Sequence, residues 1–543
     1  MSLTIDRRLL LKTASYGLGA LTMNGGALAI AGLTDARGFT HGVASGEPAS
    51  TSVLLWTRHV PESGDISRLD VELSTDADFS RIAGRGAART GAFRDWTVKI
   101  TVEGLQPGTR YHYRFIAADG TKSATGQTRT LPEGRVDRYR IAVFSCANMP
   151  YGFFNAYGHV AARDDIDLAI HLGDYYYEYG PGTYPPLKDA VPGRTLPDGE
   201  AIHLADYRIR HASYRADPDL QRLHQRLAMI ALWDDHEVAN NSWEGGGGGG
   251  MTGDAYALRK AAALQAYREW MPVSDMPWES YDIGDLARFH RTETRVLARS
   301  RPPSISALFK EPDPLAALRA FRDGPWLDPA ATMMGSQQEG WLARQLKQSV
   351  ARRQHWQIVG NGTVLASNVM PADAVDWVAG SGSEGNRRFV EAAVLATSVG
   401  LPVNFDSWGG YPAARTRFLQ SAEAAEANLI VIAGDTHNAW AYDLVEGRRK
   451  VGVEFATHSV TSPGMEEATP GYDPLRIADS LVRASPTLRW CDASHRGYMT
   501  LDLTPQRAVS EWHFLQGVAR PDLTLAGTHR LAVRKGRRAI EPA

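Results

Sequence analysis

"LAMIALWDDHEVANN", Leu227 to Asn241, runs seven mostly apolar residues straight into Asp234, Asp235, His236 and Glu237. An apolar run of that length suits a buried strand better than a helix. Carboxylates gathered at its exit would raise one another's pKa, and a bound cation is the simplest relief. Three further segments repeat the pattern. "YRIAVFSCAN" delivers Cys146, "IDLAIHLGDYYYEYG" delivers Asp174 and Tyr177, and "ANLIVIAGDTHNAW" delivers Asp435 and His437. In open α/β sheets, ligands gather outside the carboxyl ends of the strands. The four segments therefore predict an α/β domain with a metal site along one sheet edge. Taken singly, an Asp after a strand is more often a helix cap or turn residue. Tyr177 alone would be packing, and Cys146 a small core residue. It is the repetition that favours metal.

Working outward, the chain has 543 residues, enough for more than one domain. It is 43% hydrophobic and 22% charged with a net charge of −2, which argues against a basic nucleic-acid-binding surface. From Phe39 to about Glu133, short alternating runs such as "TSVLLWTR", "RLDVELS" and "TRYHYRFIA" are separated by turn residues. They predict an immunoglobulin- or fibronectin-like β-sandwich. Beyond Gly134, apolar strands alternate with helical stretches such as "DAYALRKAAALQAYREWM". The predicted division is an export signal over 1–35, a β-sandwich over 36–134, a catalytic domain over 135–515 and a basic tail over 516–543. The run "EGGGGGG", Glu244 to Gly250, predicts a mobile loop, either a plain insertion or a flap over the site.

The N-terminus pairs Arg7 and Arg8 ahead of a mild apolar stretch rich in Gly and Ala. It resembles a twin-arginine export signal, with Ala29 and Ala31 near a cleavage point. This implies a periplasmic or secreted enzyme that meets the twin-arginine translocation machinery. The alternative is a short membrane-anchoring helix, which Asn24 and several glycines disfavour. No later stretch is long and apolar enough to cross a bilayer.

The order GD-x-x-Y, acid-His-Glu and GDTH is similar to that of binuclear metallophosphatases. The variants SCAN, HLGDYYYEYG, WDDHEVANN and GDTHNAW resemble the PhoD-type alkaline phosphatases, as do "FTHGVASGEPASTSVLLWTR", "SWGGYPAAR" and "HRGYMTLDLT". The resemblance implies an αββα metallophosphatase sandwich behind the β-sandwich, with Fe(III) and Ca2+ in the site. By position, Cys146, Asp174, Tyr177 and His437 would hold iron, with Asp174 shared. Asp235 and Asp435 would serve calcium, in keeping with that ion's preference for oxygen. His236 would donate to the oxygen that develops charge. Water activated by the cations would attack phosphorus, so no protein nucleophile is needed.

Asn240 and Asn241 either supply calcium oxygens or cap a turn. Asn361 falls where many metallophosphatases carry a ligand His. Arg415 either contacts phosphate or braces its loop, and Gly409 stands where the family would place an acid. The implied substrates are phosphate monoesters or diesters, for phosphate acquisition at alkaline pH. A phospholipase D-like diesterase acting on lipid or cell-wall esters is an alternative. A non-catalytic calcium-binding surface protein is the reading from another class. The two cysteines, Cys146 and Cys491, allow either one disulfide or two free thiols.

Overall fold

The structure, a computed structural model, describes residues 36–380 and 382–543, so the expected export signal lies outside the described residues. Seven strands come first: β1 (Gly38–Gly46), β2 (Ser52–Val60), β3 (Ile66–Ser74), β4 (Ile82–Gly91), β5 (Thr97–Glu103), β6 (Arg110–Ala117) and β7 (Gly126–Arg129). One face of β3 and β6 is buried at every second residue, as their alternating sequences predict. The antiparallel sheet β4-β3-β6-β7 covers β1, β2 and β5. Leu69, Val71 and Phe115 from the first layer share a core with Val43, Leu55 and Ile100 from the second. This is the N-terminal antiparallel β domain.

Its second layer does not stop at a domain boundary. Strands β8 (Tyr139–Phe144), β9 (Leu168–His171) and β10 (Ala228–Ala231) follow. Strand β1 pairs in parallel with β10, Ser45 opposite Ala228 and Gly46 opposite Met229. The approach at Gly46 requires glycine, because a Cβ there would lie 1.9 Å from the Pro272 carbonyl oxygen.

The expected mobile loop is instead a packed hairpin of β11 (Gly246–Gly247) and β12 (Met251–Thr252). Added Cβ atoms would meet Ser242 Oγ at 2.6 Å from Gly247 and Ala239 at 2.9 Å from Gly248. Gly247 and Gly248 serve close approach, whereas Gly249 and Gly250 at the tip meet nothing within 4 Å and take φ of 68° and 92°.

A second sheet contains β13 (Glu279–Ile283), β14 (Ala287–Arg291), β15 (Trp356–Asn361), β16 (Leu429–Ala433), β17 (Ala439–Glu446), β18 (Arg449–Ala456) and β19 (Leu488–Asp492). Its order is β13-β14-β15-β16-β18-β17-β19, with parallel pairing from β14 through β15 and β16 to β18. The chain then returns to the first sheet through β20 (Gly497–Leu503), β21 (Arg507–Leu515), β22 (Leu525–Arg534) and β23 (Ile540–Pro542). The ten strands of that sheet run β23-β22-β21-β20-β8-β9-β10-β1-β2-β5. The segment read as a basic tail therefore carries two strands of that sheet. Strand β22 pairs with β21 from Arg507–Arg534 to Leu515–Leu525, and polar residues on its open face had concealed the alternation.

The sheets stack face to face. Alternate residues of one strand point to opposite faces. Ile141, Val143, Ile170 and Ile230 enter a core shared with Ile358, Ile430 and Phe455. Their neighbours Ala142, Phe144, Ala169 and Met229 face outward onto Leu220, Leu223 and Ala263 of the covering helices. Leu342, Leu346, Phe418 and Ile477 cover the second sheet in the same way. The result is an αββα sandwich. Burial on both faces explains why these strands read as continuous apolar runs. Among the described residues, no helix is long and apolar enough to cross a membrane.

Candidate metal centre

Strands β8, β9, β10 and β16 end on the same side of the stacked sheets, and each delivers its polar residue there. Four of the expected ligands leave their strands with left-handed backbone: φ is 58° at Cys146, 51° at Asp174, 65° at Asp435 and 58° at His437. A non-glycine residue pays conformational energy in that region, so its recurrence at one locus marks a site that requires it.

Asp174 lies at the centre. Its Oδ2 accepts from the Cys146 thiol at 3.3 Å and from the Tyr177 hydroxyl at 3.2 Å. The Tyr177 oxygen is 3.1 Å from His437 Nε2 and accepts from Ser462 Oγ at 2.8 Å. The His437 Nδ1–H donates to the Pro463 carbonyl at 2.7 Å, which leaves Nε2 with its lone pair facing the cluster. Cys146, Asp174 and His437 thus present one sulfur, one oxygen and one nitrogen within 4.8 Å of one another. Asp174, Asp234, Asp235 and Asp435 form a second set, made of oxygens alone, within the same reach.

Burial raises the thiol of Cys146, the phenol of Tyr177 and the carboxyl of Asp174 well above their ordinary values. It also lifts Asp435 to about 6 and lowers His437 to about 4. Burial thus works against charge on these groups, and a bound cation would oppose it at the thiol, phenol and carboxyls while suiting the unprotonated His437 ring. Buried oxygens Asp174 Oδ1 and Asp235 Oδ1 have no hydrogen-bond partner. A buried carboxylate oxygen left bare costs free energy unless something coordinates it. The donor sets fit bound cations on that observation.

His236 stands beside the ligands without joining the first set. Its Nδ1–H donates to Glu178 Oε2 at 2.7 Å, and its ring lies 4.2 Å from that of Tyr177. Burial would lower its pKa, but Asp235, Glu178 and Asp174 together push it well above the ordinary value. The ring lies within 4.8 Å of Asp174 and Asp235 oxygens, a third group able to hold a cation, and its N–H faces carboxylates that favour the protonated form.

Of the remaining predicted residues, Asn240 donates its backbone N–H to Glu178 Oε1 at 2.6 Å. Asn241, with φ of 55°, donates its own to Asp235 Oδ2 at 2.6 Å. Both backbones thus tie the turn after β10. Asn361 accepts from Thr292 Oγ1 at 2.9 Å, and its buried Nδ2 has no partner. Arg415 is not brought into the cluster. Its Nε donates to the Leu365 carbonyl at 2.9 Å, and it braces that loop. Both cysteines are free and buried, with no disulfide between them.

Several participants went unread in the sequence. Glu237 accepts the backbone N–H groups of Asp174 at 3.2 Å, Tyr175 at 2.7 Å and Asp234 at 2.8 Å, and so locks two ligand loops together. Arg295, fully buried, clamps Asp234 at 2.6 and 2.7 Å, also binds Asp406, and lies 3.5 Å from both Asp235 and Asp435. It fixes the carboxylates of the all-oxygen set. The signal for Arg295 was its place just beyond strand β14, an exit like the others. Asp406, three residues before Gly409, pairs with both Arg295 and Arg299.

A sequence model described as PhoD-like phosphatase matches residues 141–512, and that of the PhoD-like phosphatase N-terminal domain matches residues 27–132. The chain belongs to the PhoD-like phosphatase family. It is 32% identical over 519 residues to alkaline phosphatase D of Bacillus subtilis (strain 168), covering 90% of this chain and 79% of that protein. A solved structure described as that of PhoD matches with a TM-score of 0.77 at 28% identity, over 94% of this chain and 92% of the other. As a homologue of alkaline phosphatase D within this family, the chain is a phosphoric ester hydrolase.

Proposed function

We propose that the chain is an exported phosphatase that hydrolyses phosphate monoesters and diesters at alkaline pH for phosphate acquisition. Fe(III) would be held by Cys146, Asp174, Tyr177 and His437, and Ca2+ by Asp174, Asp235 and Asp435. The observation that carries this reading is the division of donors about Asp174, one set mixed in sulfur, oxygen and nitrogen and the other all oxygen. Phenolate and thiolate suit a trivalent or soft-tolerant ion, while a cage of carboxylates suits a hard divalent one. When bound, the cations supply positive charge to the phosphoryl oxygens and acidify the attacking water.

The chain's own residues do the rest. Glu178 fixes His236 through Nδ1, so that Nε2–H is free to donate to the oxygen developing charge as the ester bond breaks. Glu237 holds the Asp174 and Asp234 loops, and Arg295 keeps the carboxylates of the second set from spreading. Ser462 and Ser145 steady the Tyr177 oxygen and the Cys146 sulfur.

The test is a pair of initial rates on purified enzyme supplied with iron and calcium, using nitrophenyl phosphate and the matching bis-ester. Faster hydrolysis of the monoester supports phosphate scavenging. Faster hydrolysis of the diester redirects the reading to lipid or cell-wall phosphodiesters. No hydrolysis of either, with both cations bound, overturns it.

A further inference from the structure

The stretch Phe39–Arg58, one of the most distinctive in the chain, contributes no side chain to the metal centre. It packs, with several buried polar side chains, where the N-terminal β domain meets the helices of the catalytic domain. Among them is Arg215, the last residue of the helix Leu204–Arg215 and fully buried. The guanidinium lies over the ring of Trp56, 4.3 Å from its centroid. That contact occupies one face of the group and does not engage its in-plane N–H donors. None of its three nitrogens meets an acceptor in good hydrogen-bonding geometry. Its one polar neighbour by hydrogen bonding is the neutral Tyr175 hydroxyl, and among the described residues no carboxylate lies within ion-pair distance of it.

The surroundings supply no counter-charge. Tyr113, Tyr175, His41, His211 and His224 all lie within the electrostatic reach of Arg215, and all are buried. Burial pushes Tyr175 up to about 12 and His41 and His211 down to about 3, so these side chains are neutral. Ser45 Oγ and Tyr113 Oη are buried and also lack a well-formed hydrogen bond. The Tyr175 oxygen also lies 2.8 Å from His224 Nε2, so it is shared between two neighbours and carries no charge to Arg215.

An arginine cannot escape this setting by releasing its proton. A buried charge left uncompensated is strongly destabilising, whereas one that is paired and hydrogen-bonded is tolerated. The donors available are the guanidinium and two neutral hydroxyls, a set that matches an anion. With every surrounding side chain closed to solvent, the ligand must be small and taken up as the domains dock.

We infer that Arg215, with Ser45 and Tyr113, forms a structural binding site for a small inorganic anion of halide size that joins the N-terminal domain to the catalytic domain. The anion lies outside the phosphoester chemistry and acts on assembly.

Two measurements on the full chain decide the matter. The first is diffraction on either side of the chlorine absorption edge, from crystals grown in chloride. An anomalous peak within hydrogen-bond reach of the Arg215 guanidinium is expected. Density there without anomalous signal means ordered water and overturns the inference. The second is the thermal midpoint measured as chloride replaces gluconate at constant ionic strength. The midpoint should rise with chloride, because an anion bound only by the folded state stabilises it by mass action. Arg215→Met, close in volume and uncharged, should abolish the rise, and an equal rise in that variant overturns the inference. Should Arg215→Met fail to fold, the Ser45→Ala/Tyr113→Phe pair keeps the charge but loses two donors. It should then need about tenfold more chloride for the same rise, and an unchanged response overturns the inference.

Discussion

Replacing Glu178 with Gln isolates what holds His236. The carboxylate accepts from two buried donors, His236 Nδ1–H at 2.7 Å and the Asn240 N–H at 2.6 Å. Glutamine has one carbonyl oxygen, so it can serve one of them and must turn its NH2 toward the other. A hydrogen bond to a charged group contributes about 1.5–3 kcal/mol. If that interaction is realised chiefly as charge develops on the substrate oxygen, its loss lowers kcat by about 10- to 150-fold with KM little changed. The pH profile should move as well. The negative charge of Glu178 helps raise the His236 pKa, so neutralising it lets the ring lose its proton at lower pH. The alkaline limb of activity should therefore shift downward. The assay is nitrophenyl phosphate hydrolysis across the pH range, with iron and calcium measured on the same samples. Wild-type activity and an unmoved alkaline limb, at unchanged metal content, would refute the positioning of His236 by Glu178.

His236→Ala should retain metal and thermal midpoint but lose about 10²–10³ in kcat, the usual cost of removing one transition-state donor; parallel loss of fold and activity would favour the calcium-binding surface protein. Cys146→Ala should lose iron selectively in elemental analysis, and unchanged iron would remove Cys146 from the ligand set. Arg295→Met leaves Asp234 buried without its cation, while Asp406 keeps Arg299 at 2.6 Å; a broken buried pair costs about 3–5 kcal/mol, and the check is a thermal midpoint clearly below that of wild type. The Asp492–His495 pair, 2.9 Å apart, adds a pH dependence away from the metals. Although burial opposes it, His495 helps hold Asp492 at about 2, so this share of stability is present above the unfolded value of 3.8 and fades as pH falls through about 2. The hydrogen bond to Asp492 raises His495, so its share is present below the unfolded value of 6.5 and fades as pH rises through the raised folded value. The deficit of His495→Ala should be greatest in mildly acid buffer and shrink in alkaline buffer; a deficit independent of pH would contradict the pairing.

The metal centre was legible because its strands are buried on both faces. That makes each an unbroken apolar run, so the polar residue at the exit stands out, as Asp174 and Asp435 do. Glu178 was hidden among tyrosines one position past a candidate ligand, and nothing local announces that its carboxylate reaches His236. Arg295 was missed for a related reason. Arginine is usually a surface residue, and only three-dimensional proximity to Asp234 reveals it as a buried clamp. The continuity of β1 with β10 depends on a pairing between distant segments, and neither carries a local mark of it. The glycine run misled because the same residue serves both mobility and close contact, and only the neighbours Ser242 and Ala239 distinguish the two.

The order of strands in the ten-stranded sheet also sets a timetable. Strand β1 leaves the ribosome early yet must wait for β10 before it has a neighbour on its inner side. Strand β8, which delivers Cys146, lies beside β20, and the sheet beyond it is built from β21, β22 and β23, far later in the chain. Non-local pairings of this kind form only after the intervening chain exists. The pocket that gathers thiol, phenol and imidazole therefore draws on segments as far apart as Cys146 and His437, and no cation can find its full donor set until the second sheet has been made.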